Sequence, residues 1–150
     1  SSWYFLILTK DTVAARAIVN SKHTLSSRMI IHSAPHHEVP SFLNLAQASI
    51  QFIEPAYSKR ASSPVKLGES LAMGVPVITN VGIGDSQALI QEGSAGICIN
   101  SWDDITSSVM DFQRMRFDSN AIRTYAIRTL GLEQGINAYQ QVYKKMLSHD

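Results

Sequence analysis

Cysteine is almost missing from this chain: Cys98 is the single one in 150 residues. No intrachain disulfide can form, which fits a reducing compartment. Excess charge is missing too. The 13 Lys and Arg nearly balance the 12 Asp and Glu, leaving a formal net charge of +1. That gives no electrostatic case for a nucleic-acid partner or for an acidic membrane surface. No run reaches the roughly 20 apolar residues that a bilayer span needs, so no transmembrane segment is expected. The opening SSWYFLILTK has neither an initiating Met nor a basic flank, so it does not read as a signal peptide. The missing Met agrees with a chain that begins inside a longer protein. No internal repeat, low-complexity tract or linker breaks the pattern. What remains is ordinary globular composition, 45% apolar and 17% charged, in a chain of one domain's size.

Short apolar runs recur: WYFLIL (3–8), RMIIHS (28–33), SIQFIEP (49–55), PVITN (76–80) and AGICIN (95–100). Continuous apolar runs predict strands buried on both faces. Most are followed closely by a helical pattern, so parallel crossovers are expected. The fold class is therefore α/β: a Rossmann-like three-layer parallel sheet of about five strands with a helical C-terminal tail. Asp11 is placed to cap the first helix, and Asp85 to cap SQALIQE, which stops at Gly93. Pro40 suits the first helical position of VPSFLNLAQAS. Ser101 and Asp104 suggest a capping box before Ile105. Beyond residue 100 the pattern is helical, and Leu132, Ile136, Tyr139, Tyr143, Met146 and Leu147 form one stripe.

The stretch SSPVKLGESLAMGVPV (62–77) raises a question of charge. Ser63 as N-cap, Pro64 at the first helical position and Gly74 past the end define a short helix. Val65, Leu67, Gly68, Leu71 and Ala72 fall on one side of it, with Gly68 and Ala72 small enough for close approach to a sheet. Lys66, Glu69, Ser70 and Met73 fall on the other. Lys66 thus adds positive charge where the helix dipole is already positive. One explanation is an i,i+3 ion pair with Glu69 on a wet face, contributing about 0.2–0.5 kcal/mol. The other is an anion docked on the free N–H groups of the first turn, which Lys66 helps neutralise. Glu69 would then accept hydrogen bonds from vicinal hydroxyls.

Residues 58–85, SKRASSPVKLGESLAMGVPVITNVGIGD, resemble the donor-binding segment of GT-B glycosyltransferases of the retaining group 1 family. The family spelling S-x-P-x-K-x-x-E-x-x-A-x-G-x-P-V-I is met by Ser62, Pro64, Lys66, Glu69, Ala72, Gly74, Pro76, Val77 and Ile78. HEVPSFLNLAQASIQFIEPAYSK, upstream, is similar to the helix–strand unit that precedes the motif in that family. The resemblance implies that Glu69 binds the ribose of a nucleotide-sugar. It places the backbone of Ser62, Ser63, Pro64 and Val65 on the sugar and diphosphate, and Lys66 on the phosphates. Asn80, Gly82 and Gly84 match the loop closing over the donor. No cofactor or metal is implied, since a nucleoside-diphosphate-sugar serves as donor substrate. Two departures stand out. Ala61 occupies the position of a second, sugar-contacting glutamate found in many relatives. The family's N-terminal acceptor-binding domain has no counterpart, so residues 1–150 resemble most of one nucleotide-sugar-binding domain from a two-domain enzyme. The resemblance implies little transfer activity from this chain by itself. It also implies a cytoplasmic location, with peripheral membrane association of the full-length protein left open.

Other clusters have plainer readings. His32, His36, His37 and Glu38 lie at a strand end and in a polar loop, so a metal site is not expected there. Cys98 sits inside an apolar strand and reads as an inert core residue. Arg114, Arg116 and Arg123 read as a solvated face. Two rival functions remain at this level. One is a non-catalytic module of the same fold that binds a nucleotide or sugar phosphate. The other is a ligand-free, flavodoxin-like interaction domain, disfavoured because only Asp11 follows the first strand.

Overall fold

The computed structural model of the chain describes residues 3–22 and 26–148. They form two compact units divided between Phe42 and Leu43. In the first, β1 (Phe5–Leu8) and β2 (Met29–His32) pair in parallel, Phe5 opposite Met29. The crossover contains α1 (Thr12–Asn20), which packs on β2. Asp11 caps α1 as expected, its carboxylate accepting from the Ala14 N–H at 2.9 Å. Arg16 reaches the Ile31 carbonyl at 3.3 Å, fastening the helix to the strand. A 3-10 turn (His36–Glu38) then leads into α2 (Val39–Leu43). This helix is far shorter than VPSFLNLAQAS suggested. Pro40 is its second residue, and after Leu43 the chain turns, with Leu45 78% exposed. Good helix propensity over residues 44–48 has been overridden there by tertiary context.

The second unit is a three-layer α/β sandwich. Its sheet is parallel with strand order β3 (Ser49–Gln51), β4 (Val77–Asn80), β5 (Gly96–Ile99). Ser49 lies opposite Val77, and Val77 opposite Gly96. All five expected strands are thus present and parallel to their partners, as a pair and a triplet. Alternation along β4 sends Val77 to one face and Ile78 to the other. On the first face Val77 joins Leu67 and Leu71 of α3 (Val65–Ala72), Ile90 of α4 (Ser86–Glu92) and Ile122 of α6 (Ser119–Leu130). On the second, Ile78 and Ile99 pack with Phe112 of α5 (Ile105–Arg114), extended by a ring contact of Phe112 with Phe117 at 4.9 Å.

Several expectations require correction. Among the described residues only β4 is buried along its whole length; β1 leaves Phe5 and Leu6 substantially exposed and β3 leaves Ile50, with Phe52 exposed just past its end. Each of those strands is hydrogen-bonded along one edge only among the described residues. α7 (Leu132–Leu147) buries none of its residues, so its apolar stripe lies open instead of packing. Asp85 makes no side-chain cap to α4, and Asp104 makes none to α5. Ser101 instead accepts from the Asp103 N–H at 3.3 Å, capping a 3-10 turn (Trp102–Asp104) that precedes α5. α4 does end at Gly93, although the left-handed residue beyond it is Ser94, with φ 45°.

α6 carries a buried phenol. The Tyr125 hydroxyl donates to the Glu92 carboxylate of α4 at 3.1 Å. Burial raises the Tyr125 pKa, and the bond to the Glu92 carboxylate raises it further, against the lowering effect of the Arg128 guanidinium. A phenol whose folded pKa lies above its unfolded value of about 10 stabilises the fold below that pH and loses the contribution as pH rises past it. The thermal midpoint is therefore expected to fall above about pH 10, and to fall less steeply in Tyr125→Phe. Equal alkaline slopes in the two proteins would contradict this assignment.

Candidate functional site

α3 begins one residue later than its sequence suggested. Pro64 is the N-cap, in an extended conformation with φ −69° and ψ 117°, and no side chain caps the helix. Ser63 therefore does not plug the first turn. The Leu67 and Gly68 N–H groups turn back to the Pro64 carbonyl at 3.0 and 3.4 Å. The Val65 and Lys66 N–H groups have no partner among the described residues. This is the anion-ready end of a helix, with its donors unspent.

The opposite end closes as expected. The Gly74 N–H donates to the Leu71 carbonyl at 2.9 Å and the Val75 N–H to the Ser70 carbonyl at 3.0 Å. This double bond pattern needs a left-handed residue at Gly74, which has φ 72°. The faces of α3 differ in part from those its periodicity predicts. Leu67 and Leu71 are buried, but Val65 is 74% exposed and Ala72 also faces water. Gly68 approaches Leu130 of α6 and not the sheet; a Cβ there would sit 3.6 Å from the Leu130 side chain. Ser70, expected on the wet side, is 1% exposed. It faces β3, where the Gln51 amide donates to Ser70 Oγ at 3.1 Å and to the Lys66 carbonyl at 2.9 Å. The first turn of α3 is thereby pinned to the sheet through Gln51, a residue with no distinguishing signal in one dimension.

The Lys66–Glu69 ion pair does not form. Among the described residues neither side chain has a hydrogen-bond or ionic partner, with Lys66 exposed and Glu69 partly buried. Leading into them, a 3-10 segment (Tyr57–Ala61) carries Lys59 and Arg60 as further unpaired, exposed cations. Their signal in the sequence was the SKR triplet just upstream of SSP.

Ser62 and Gly84 come into direct contact. The Gly84 N–H donates to the Lys59 carbonyl at 3.0 Å, and Ser62 Oγ donates to that carbonyl at 2.9 Å. A Cβ on Gly84, at φ 39°, would lie 1.7 Å from the Ser62 carbonyl oxygen, so only glycine fits. The loop after β4 is thus locked against the segment that enters α3. Gly82, in the same loop, lies near Pro55, 3.7 Å from a built Cβ.

Asn80 has a different place from the rest. It is 6% exposed, and its amide is fully used inside the protein. Oδ1 accepts from the Ile53 N–H at 2.9 Å, while Nδ2 donates to the Ile53 and Val81 carbonyls at 2.9 and 3.1 Å. It acts as an extra rung that extends the β3–β4 ladder and holds the chain leaving β3. Of the nine candidates, the structure puts Ser62 against Gly84, lines Ser62 through Lys66 along the entry of α3 with Glu69 one turn on, and leaves Asn80 as a brace.

A cleft of about 70 Å³ opens at the carboxyl ends of β4 and β5, lined by Pro55, Asn80, Val81, Ile99, Asn100 and Trp102, among others. Asn80 is the only sequence candidate on its wall. No group of three or more His, Cys, Asp or Glu able to hold a metal is found among the described residues. The His32 ring instead lies 5.1 Å from Phe42, and His37 stands 3.7 Å from Glu38 at the surface. Burial raises the Cys98 pKa, which keeps the thiol protonated and unreactive near neutrality. Among the described residues no helix is long and apolar enough to cross a membrane.

A scan against protein-family models finds no match, and a sequence search of curated proteins finds none either. Among solved structures, the chain is similar to AviGT4, a glycosyltransferase involved in avilamycin A biosynthesis, with a TM-score of 0.71. The match has 12% sequence identity and covers 98% of this chain but 44% of that one. At that identity the likeness is one of fold. This chain has the Rossmann-like α/β fold found in part of a glycosyltransferase, and spans less than half the length of that neighbour.

Proposed function

We propose that this chain is the nucleotide-sugar-binding part of a glycosyltransferase, of the GT-B, group 1 retaining type that its motif resembles. The observation that carries the reading is the open first turn of α3. Its two unspent N–H groups, at Val65 and Lys66, share one turn with the unpaired Lys66 ammonium. An uncapped cationic helix start is unfavourable alone and favourable with a diphosphate in place. Glu69, partly buried one turn further and without a protein partner, suits the vicinal hydroxyls of a ribose. The likeness to a glycosyltransferase fold supports the same class.

In this mechanism the chain stabilises the departing nucleoside diphosphate. Negative charge grows on the phosphate as the sugar leaves, and the helix dipole and Lys66 are aimed at that charge. Gln51 and the Ser62–Gly84 contact hold the seat in place before the ligand arrives. Groups that bind the acceptor belong to a further domain, and this chain by itself is expected to transfer little sugar. Ala61, where many relatives carry a second glutamate, favours one alternative: a non-catalytic module that binds the same ligands. Sugar transfer by a longer protein containing this domain separates the two.

The direct test is calorimetric titration of UDP, GDP and ADP into the chain. One of them is expected to bind weakly, and Glu69→Ala is expected to weaken it by about 1–3 kcal/mol through loss of charge-assisted bonds to ribose. Unchanged affinity in that variant would remove Glu69 from the site.

A further inference from the structure

The cleft at the ends of β4 and β5 has a chemistry unlike that of the α3 entry. Trp102 stands on its rim, 56% exposed, with its ring held edge-on to Phe52 at 5.1 Å and 78°. Ser101 fixes the turn beneath it by accepting from the Asp103 N–H at 3.3 Å. Asn100 is exposed, and its amide has no partner among the described residues, so it offers both a donor and an acceptor. The floor is rigid, since the Val81 N–H donates to the Ile99 carbonyl at 3.1 Å and the Asn80 amide is spent.

Charge separates the two places. Lys59, Arg60 and Lys66 mark the α3 side of the loop after β4. The cleft side is flanked in sequence by acids: Glu54 before Pro55, and Asp103 and Asp104 after Trp102. The lining itself carries no charged side chain, which suits neutral hydroxyls better than a phosphate. A fixed aromatic ring beside an uncommitted amide matches a pyranose, which has an apolar C–H face and a rim of hydroxyls. The cleft, at about 70 Å³, has room for a sugar substituent such as a hydroxymethyl group. Carboxyl ends of parallel strands are also where α/β sheets take ligands.

We propose that this cleft and the Trp102 ring form a subsite for a neutral pyranose, chemically distinct from the diphosphate seat. The ring stacks on Trp102, Asn100 bonds its hydroxyls, and one substituent enters the cleft. The inference builds on the donor-site reading above and adds the position of a second, uncharged sugar contact.

The test uses the whole chain with Trp3→Phe, which leaves Trp102 as the sole indole. Methyl α-D-glucopyranoside, methyl α-D-mannopyranoside and N-acetylglucosamine are titrated while indole emission and the Asn100 side-chain amide resonances are followed. At least one sugar is expected to give a saturable change in both signals. Trp102→Ala and Asn100→Ala are expected to weaken it about tenfold, the size of one aromatic contact or a good hydrogen bond. The Asn100 amide has no hydrogen-bond partner among the described residues, so its variant reports on binding even where Trp102→Ala perturbs folding. No saturation by about 100 mM, or saturation by uridine or adenosine in place of the sugars, overturns the inference. Parallel titration of UDP, GDP and ADP keeps the readings apart. Nucleotide binding without sugar binding sinks this subsite alone, and sugar binding without nucleotide binding sinks the diphosphate seat alone.

Discussion

Leu71→Ala is expected to lower the unfolding free energy of the second unit by about 2–5 kcal/mol. Leu71 is fully buried on the inner face of α3, in one cluster with Leu67, Val77 and Ile122. Truncation removes its transfer energy and leaves a cavity walled by two other helices and a strand. Those walls have little freedom to collapse. α3 is pinned to β3 through Gln51, and its end is fixed by the bonds around Gly74. Chemical denaturation followed by far-UV dichroism measures the loss. A change below about 1 kcal/mol would mean that α3 does not seat in this core.

Gly84→Ala is the second large effect, and it falls on the site. The new methyl carbon would meet the Ser62 carbonyl oxygen at 1.7 Å, and φ 39° is itself unfavourable for alanine. Backbone must move, either in the loop after β4 or in the 57–62 segment. The 57–62 segment leads into α3, and the loop after β4 packs against it. Nucleotide affinity is expected to drop at least about tenfold, because small displacements of a preorganised anion seat are costly. Stability is expected to fall by about 1–3 kcal/mol. Calorimetry on a variant shown to be folded measures the first, and thermal unfolding the second. Full retention of nucleotide affinity would detach this loop from the site.

Much of the architecture was legible in the sequence, for identifiable reasons. Strand centres follow from apolar runs, and the end of α3 from the Gly–Val–Pro that follows it. Asp11 was legible as a cap because its carboxylate has one nearby use. Asp85 has the same local pattern and does not cap, and of the Ser101–Asp104 pair only Ser101 caps, on a 3-10 turn, since caps are decided by competition that sequence spacing does not show. The periodicity of α3 marked an apolar stripe correctly at Leu67 and Leu71. It could not tell that Gly68 meets a helix, or that Ser70 turns inward to satisfy Gln51. The open faces of β1, β3 and α7 look identical to buried ones in one dimension. Of the candidate site, the α3 entry is readable from residue type, whereas Ser62 and Gly84 are singled out only by the resemblance to the glycosyltransferase segment. Asn80 as an internal rung, and the Trp102 cleft, depend on long-range register and are not readable.

Backbone amide shifts on adding UDP, GDP or ADP to the isotope-labelled chain test whether the open first turn of α3 seats a diphosphate. Saturable downfield shifts are expected, largest at the Val65 and Lys66 amides, with Ser63 and Gly84 following. Shifts confined to other surfaces, or no saturable shift at Val65 and Lys66 with any of the three, would contradict it.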